Sequence, residues 1–129
     1  MEAALRSAIS GWLRSDPLLA ERVNGIEEEG PVAASPPAIA IAASASTDWS
    51  TKTTRGREVR LALELVGRGD DPATIATLAS RIEQRIATLA PQQDGFRVVV
   101  TRFLRSRVER RRRNTRAVLL EFAFKVMAD

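Results

Sequence analysis

The chain has 129 residues and a mass of 14.1 kDa, is 44% apolar and 28% charged, and carries a net charge of +4. That is the size of one domain, spanning residues 1–129, and enough chain to bury a core without staples. It holds no Cys and no His, which excludes disulfides, thiol chemistry, zinc fingers and histidine-based acid–base or triad catalysis.

Leu5, Ala8, Ile9, Trp12 and Leu13 recur at helical spacing and predict an amphipathic first helix. Asp16-Pro17 supplies an N-cap and a first-turn proline for a short second helix to Val23, stopped by Asn24-Gly25. Ile26 to Pro37 is acidic and then Pro/Ala-rich. Pro31, Pro36 and Pro37 preclude a helix there, and the stretch reads as an extended loop. Ala38 to Ser46 alternates with period two, as a strand does. A polar stretch from Thr47 to Gly56 separates it from a second strand marked by Val59, Leu61, Leu63 and Leu65. The two form a long hairpin, with Gly56 near a bulge or turn. After the loop Gly67 to Asp71, Asp71-Pro72 starts a helix whose apolar face is Ile75, Leu78, Ala79, Ile82, Ile86 and Leu89, ending near Ala90 before Pro91. Gln93-Asp94-Gly95 is a turn. Phe96, Val98 and Val100 open a strand whose phase slips near Arg102, as at a bulge. Arg110 to Asn114 is a hairpin tip, and Arg116 to Val126 a closing strand.

The order α-α-β-β-α-β-β predicts an α+β fold: one mixed or antiparallel sheet with helices packed on one face. The long helix is expected to lie on the strands at 59–65 and 116–126.

Charge is segregated. Residues 1–50 hold three Arg and seven Asp/Glu, while residues 51–129 hold 17 Lys/Arg and nine Asp/Glu. Eight arginines fall between Arg102 and Arg116, relieved only by Glu109. An acidic run, Glu27-Glu28-Glu29, sits far away in sequence. Opposite charge on separate parts of one small domain suits head-to-tail self-assembly.

No nucleotide-binding or hydrolase motif is present. Gly67-Arg68-Gly69 lacks a third glycine and opens into two aspartates, which repel phosphate. Asp70-Asp71 is explained by turn and cap roles, and Glu27–Glu29 lacks the spacing of a calcium loop. The chain is therefore read as a non-enzyme without cofactor or metal. The basic tip Arg110–Arg113 keeps nucleic-acid binding open as an alternative, although stacking aromatics do not accompany it. No apolar run approaches the ~20 residues of a membrane span, and no secretory signal pattern is present. A cytoplasmic or particle-borne protein without a membrane partner is expected.

The stretch Asp48-Trp49-Ser50-Thr51-Lys52-Thr53-Thr54-Arg55-Gly56-Arg57-Glu58 and the strand after it carry a resemblance, with Leu13-Arg14-Ser15-Asp16-Pro17-Leu18-Leu19, the long helix and the Arg-rich closing hairpin. The chain resembles the tail-completion proteins of gene transfer agents and related long-tailed phages. It departs from them at Asn24-Gly25-Ile26-Glu27 and Pro37-Ala38, where aromatic residues are usual. The resemblance implies a tail terminator: a ring, usually a hexamer, at the head-proximal end of the tail tube, assembled in the bacterial cytoplasm. Its implied partners are further copies of itself, the major tail tube protein and the head-tail connector or stopper. The resemblance also implies that DNA passes through the lumen without specific binding. A neck or connector position is the alternative within the same class.

The expected contact residues follow from charge and from that stretch. Glu27, Glu28 and Glu29 of one subunit are expected near Arg110, Arg111, Arg112 and Arg113 of a neighbour. Trp49, Ser50, Thr51, Lys52, Arg55 and Arg57 are expected to meet the tube or a neighbour, with Trp49 as anchor. Packing of Trp49 on its own hairpin is the competing reading.

Overall fold

A computed structural model describes residues 1–30 and 33–129. Two helices come first, α1 (Glu2–Arg14) and α2 (Pro17–Arg22). Strands β1 (Ile26–Glu27), β2 (Ala38–Asp48) and β3 (Gly56–Arg68) follow. Helix α3 (Pro72–Ala87) precedes the hairpin of β4 (Phe96–Arg111) and β5 (Thr115–Ala128). The five strands form one sheet in the order β1-β2-β3-β5-β4.

The expected α+β architecture with helices on one face is present. The loop reading of 26–37 is corrected at its start: Ile26 and Glu27 pair in parallel with Ile39 and Ala40. That added strand makes the sheet mixed and the order α-α-β-β-β-α-β-β. Two residues carry no readable alternation, and β1 exists only because β2 offers it an edge. Pro31 lies outside the described residues. The strands also run past their apolar cores, β2 to Asp48 and β3 from Gly56 to Arg68, because ladder bonding continues into polar residues. Helix α3 stops at Ala87, three residues short of the expected end.

The N-caps are where the sequence puts them. Asp16 accepts from the Leu19 amide at 3.1 Å, and Asp71 from the Thr74 amide at 3.2 Å. Ile75, Leu78, Ile82 and Ile86 of α3 are buried in one cluster with Leu61, Leu63 and Leu65 of β3 and Val118, Leu120, Phe122 and Phe124 of β5. Leu5, Ile9 and Leu13 of α1 join the same cluster. Trp12 clasps α1 to α3: its indole N–H donates to the Arg85 carbonyl at 2.8 Å, and the Arg85 guanidinium stacks 3.3 Å from the ring centroid.

Register fixes the faces. Two bulges in β4, between Val98 and Val100 and between Phe103 and Arg105, account for the phase slip near Arg102. A third, between Ile41 and Ala43, re-phases β2. With these shifts Phe103, Ser106 and Val108 stand on the helix side, opposite Phe122, Leu120 and Val118. Arg102, Arg105 and Arg107 stand on the open side, opposite Ala123, Glu121 and Leu119.

Candidate assembly surfaces

The β2–β3 loop is built by its own side chains. The Trp49 amide donates to the Gly56 carbonyl at 2.9 Å and the Thr51 amide to the Thr54 carbonyl at 2.9 Å. Ser50 Oγ donates to Asp48 Oδ1 at 2.6 Å and accepts from the Gly56 amide at 3.0 Å. A Cβ on residue 56 would sit 2.5 Å from the Trp49 carbonyl oxygen, so only glycine closes this loop. Trp49 is half-buried, with Lys125 Nζ of β5 5.3 Å from its ring centroid. Ser50, Thr51 and Gly56 thus shape the loop, and Lys52 and Arg55 are presented to solvent.

The other two expected groups lie elsewhere. The acidic run continues from β1 at one edge of the sheet, and β4 is the opposite edge. β4 carries six arginines against one glutamate. The Arg110–Arg113 tip closes the β4–β5 hairpin, at the end of the sheet away from the β2–β3 loop. Arg113 and Asn114 both adopt left-handed backbone, φ 59° and 52°, as a tight hairpin turn requires. Asparagine tolerates this region; arginine does so at a cost. The tip is tied down by the Gly69 amide, which donates to the Asn114 carbonyl at 2.7 Å. The expected site residues therefore occupy three separate places, and one chain does not bring the acidic run to the arginines.

The open face is laced with ion pairs. Arg105 bonds Glu121, and the Arg111 guanidinium donates to Glu64 and Glu109 at 2.9 and 3.1 Å. Arg107 lies 3.3 Å from Glu109. The Arg105 hydrogen bond holds the Glu121 carboxyl below the usual range. At the tip the compensation ends. Arg110 faces Arg116 directly across the hairpin, and like charges so placed repel. Arg116 Nε is buried without a hydrogen-bond partner, and its side chain lines a small cleft with Arg110, Arg111 and Asn114.

A further set was not singled out from sequence. Among the described residues, the exposed large hydrophobics are Val99, Val100, Phe103 and Val108, all on β4. A long edge strand presenting apolar side chains marks a contact surface. The parity slip signalled the bulges, but nothing in the sequence identified β4 as an edge.

Among the described residues, no group of three or more carboxylates could hold a metal ion, and no helix is long and apolar enough to cross a membrane.

No curated protein matches the chain in sequence. Among solved structures, a chain from the virion of a native gene transfer agent particle superposes with a TM-score of 0.81. It is 22% identical, and the match covers 98% of this chain and 97% of that one. That likeness shows the fold. The family model described as tail completion protein gp17 matches residues 7–127. With nearly its whole length matched, the chain belongs to the tail completion protein gp17 family.

Proposed function

We propose that the chain is a structural tail terminator of a phage-like particle, of the gene transfer agent kind. It forms a ring, a hexamer in this reading, at the head-proximal end of the tail tube, stops tube growth and joins the tail to the head connector. The observation that carries this is the opposite charge of the sheet's two edges, acidic beyond β1 and basic along β4. A closed ring needs two different, complementary patches per subunit, on opposite flanks. The sheet's ends remain for axial partners. One end carries Lys52 and Arg55, the other Arg110, Arg112 and Arg113, so each can meet a different protein. The major tail tube protein and the connector are the partners assigned to them, and DNA passes through the lumen unread.

The uncompensated Arg110–Arg116 pair favours one second reading, a DNA-binding protein. Light scattering over protein and salt concentration separates the two, with negative-stain images of any large species. Six copies have a mass of about 85 kDa. Rings of that mass, alone or on tail tubes, are the expected result. A chain that stays monomeric, leaves tail tubes uncapped and binds DNA with steep salt dependence overturns the terminator reading.

A further inference from the structure

We propose that neighbouring copies in this ring join edge to edge, with Glu27–Glu29 of one chain packed against Arg105–Arg107 of the next. The inference rests on the ring reading and names its interface. It follows from tracing single rungs across the sheet. Glu27 pairs with Ala40, Ala40 with Glu64, Glu64 with Leu119, and Leu119 with Arg107. Glu27, which opens the acidic run, and Arg107 thus lie at the same height on opposite edges, both on the open side. The rung beside it runs Ile26, Ile39, Leu65, Val118, Val108. There the two edge residues are both apolar and both on the helix side.

Cyclic symmetry has no translation along its axis. With strands running along that axis, residues at equal height meet. Glu27 then meets Arg107, and Ile26 meets Val108, which is 59% exposed in the single chain. The Gly30 amide donates to the Ile41 carbonyl at 3.1 Å, so the end of the acidic run lies by the rung Ile41, Leu63, Leu120, Ser106, between Arg105 and Arg107. Charge complements charge, apolar complements apolar, and each pair falls on one face of the sheet. The strand directions also agree: β1 is parallel to β2, and β4 is antiparallel to it through β3 and β5, so the edges meet antiparallel. The rung moves the acidic run's contact from the tip to the middle of β4, and leaves Arg110, Arg112 and Arg113 for the end of the ring. The Arg14 guanidinium already donates to the Ile26 carbonyl, at 2.6 Å from one nitrogen. The contact is therefore made by side chains rather than by a continued backbone ladder.

The chain has no cysteine, so introduced thiols report cleanly. Within one chain the two edges stand four strand spacings apart, about 19 Å, beyond a short thiol cross-linker. A chain carrying Glu27→Cys and Arg107→Cys is expected to cross-link between copies into a ladder ending at the ring's mass. The control pair Glu27→Cys with Arg113→Cys is expected to stay uncross-linked. Rings of normal mass in which the first pair fails to cross-link overturn the interface and leave the ring reading intact. Absence of rings from the unsubstituted chain, free or on tubes, overturns both. As a second measure, Glu27→Lys, Glu28→Lys and Glu29→Lys together are expected to lower the ring fraction about tenfold. Adding Arg105→Glu and Arg107→Glu is expected to restore it; folded variants that do not recover overturn the pairing.

Discussion

Gly67 shows how one side chain, or its absence, positions an element. The Gly-Arg-Gly stretch superficially resembles a phosphate-binding turn, yet Gly67 lies inside β3 and is buried. A Cβ placed there would stand 2.4 Å from Ile75 Cγ1 and 2.8 Å from its Cδ1. The first turn of α3 rests on the bare backbone at that point. Gly67→Ala is expected to cost about 1–3 kcal/mol, the usual penalty of overpacking a filled core, read as a lower denaturation midpoint. Ile75→Ala in the same chain is expected to recover part of the loss. If Gly67→Ala is as stable as the parent, helix and strand are not packed at this distance. Trp49 illustrates the converse. Its indole is half-buried, with Lys125 Nζ of the neighbouring strand β5 5.3 Å from the ring centroid, and the loop's outward charges are Lys52 and Arg55.

At the scale of elements, Asp16 ties three helices together. Its side chain caps α2, bonds the Arg81 guanidinium of α3, and lies 3.9 Å from Arg85 Nε, whose guanidinium stacks on Trp12 of α1. The carboxyl itself is fully buried. The Arg81 hydrogen bond, helped by the Leu19 amide and the charges of Arg81 and Arg85, outweighs burial and holds its pKa below the unfolded value of 3.8. A group depressed on folding contributes stability that is complete above its unfolded pKa and is lost as pH falls through its folded one. Asp16→Ala is expected to cost about 1–3 kcal/mol at pH 7, from the lost cap and the lost charged hydrogen bond. The gap between parent and variant Tm is expected to close below pH 3.8, where the parent loses the same carboxylate. A gap that stays constant into acid denies Asp16 its charged role. This node was half legible in the sequence. Asp-Pro at a helix start spells a cap, whereas Arg81 lies 65 residues away and nothing local links it to Asp16. The same divide runs through the fold. Helix stripes, caps and alternating strands could be read because they depend on neighbours in sequence. β1 could not, since two residues become a strand only when β2 accepts them. Nor could β4 be read as an edge, because its neighbour is set by topology rather than by its own pattern. The acidic run and the arginine cluster were visible as composition, and the rung that relates them was not.

At the scale of the molecule, the proposed ring assigns lateral contacts to the sheet's edges and axial contacts to its ends. β3 spans 13 residues, and at about 3.3 Å per residue the two loop-bearing ends lie about 40 Å apart. Groups so far apart on a ring face different partners. The edges hold the ring in the reading above, so charges at the ends are free to be changed without dissolving it. Lys52→Glu with Arg55→Glu is expected to leave ring mass unchanged and to abolish one axial junction. Arg110→Glu, Arg112→Glu and Arg113→Glu together are expected to leave ring mass unchanged and abolish the other. The tip variant is also expected to be no less stable than the parent, because it removes the repulsion between Arg110 and Arg116. Electron microscopy of particles assembled with each variant distinguishes the products. Loss of the tube junction leaves tails of uncontrolled length without a cap, and loss of the head junction leaves capped tails of normal length without heads. One variant is expected to give each picture. If both give the same picture, or if either dissolves the ring, the division of labour between edges and ends is wrong, and the arginine tip belongs to the subunit interface after all.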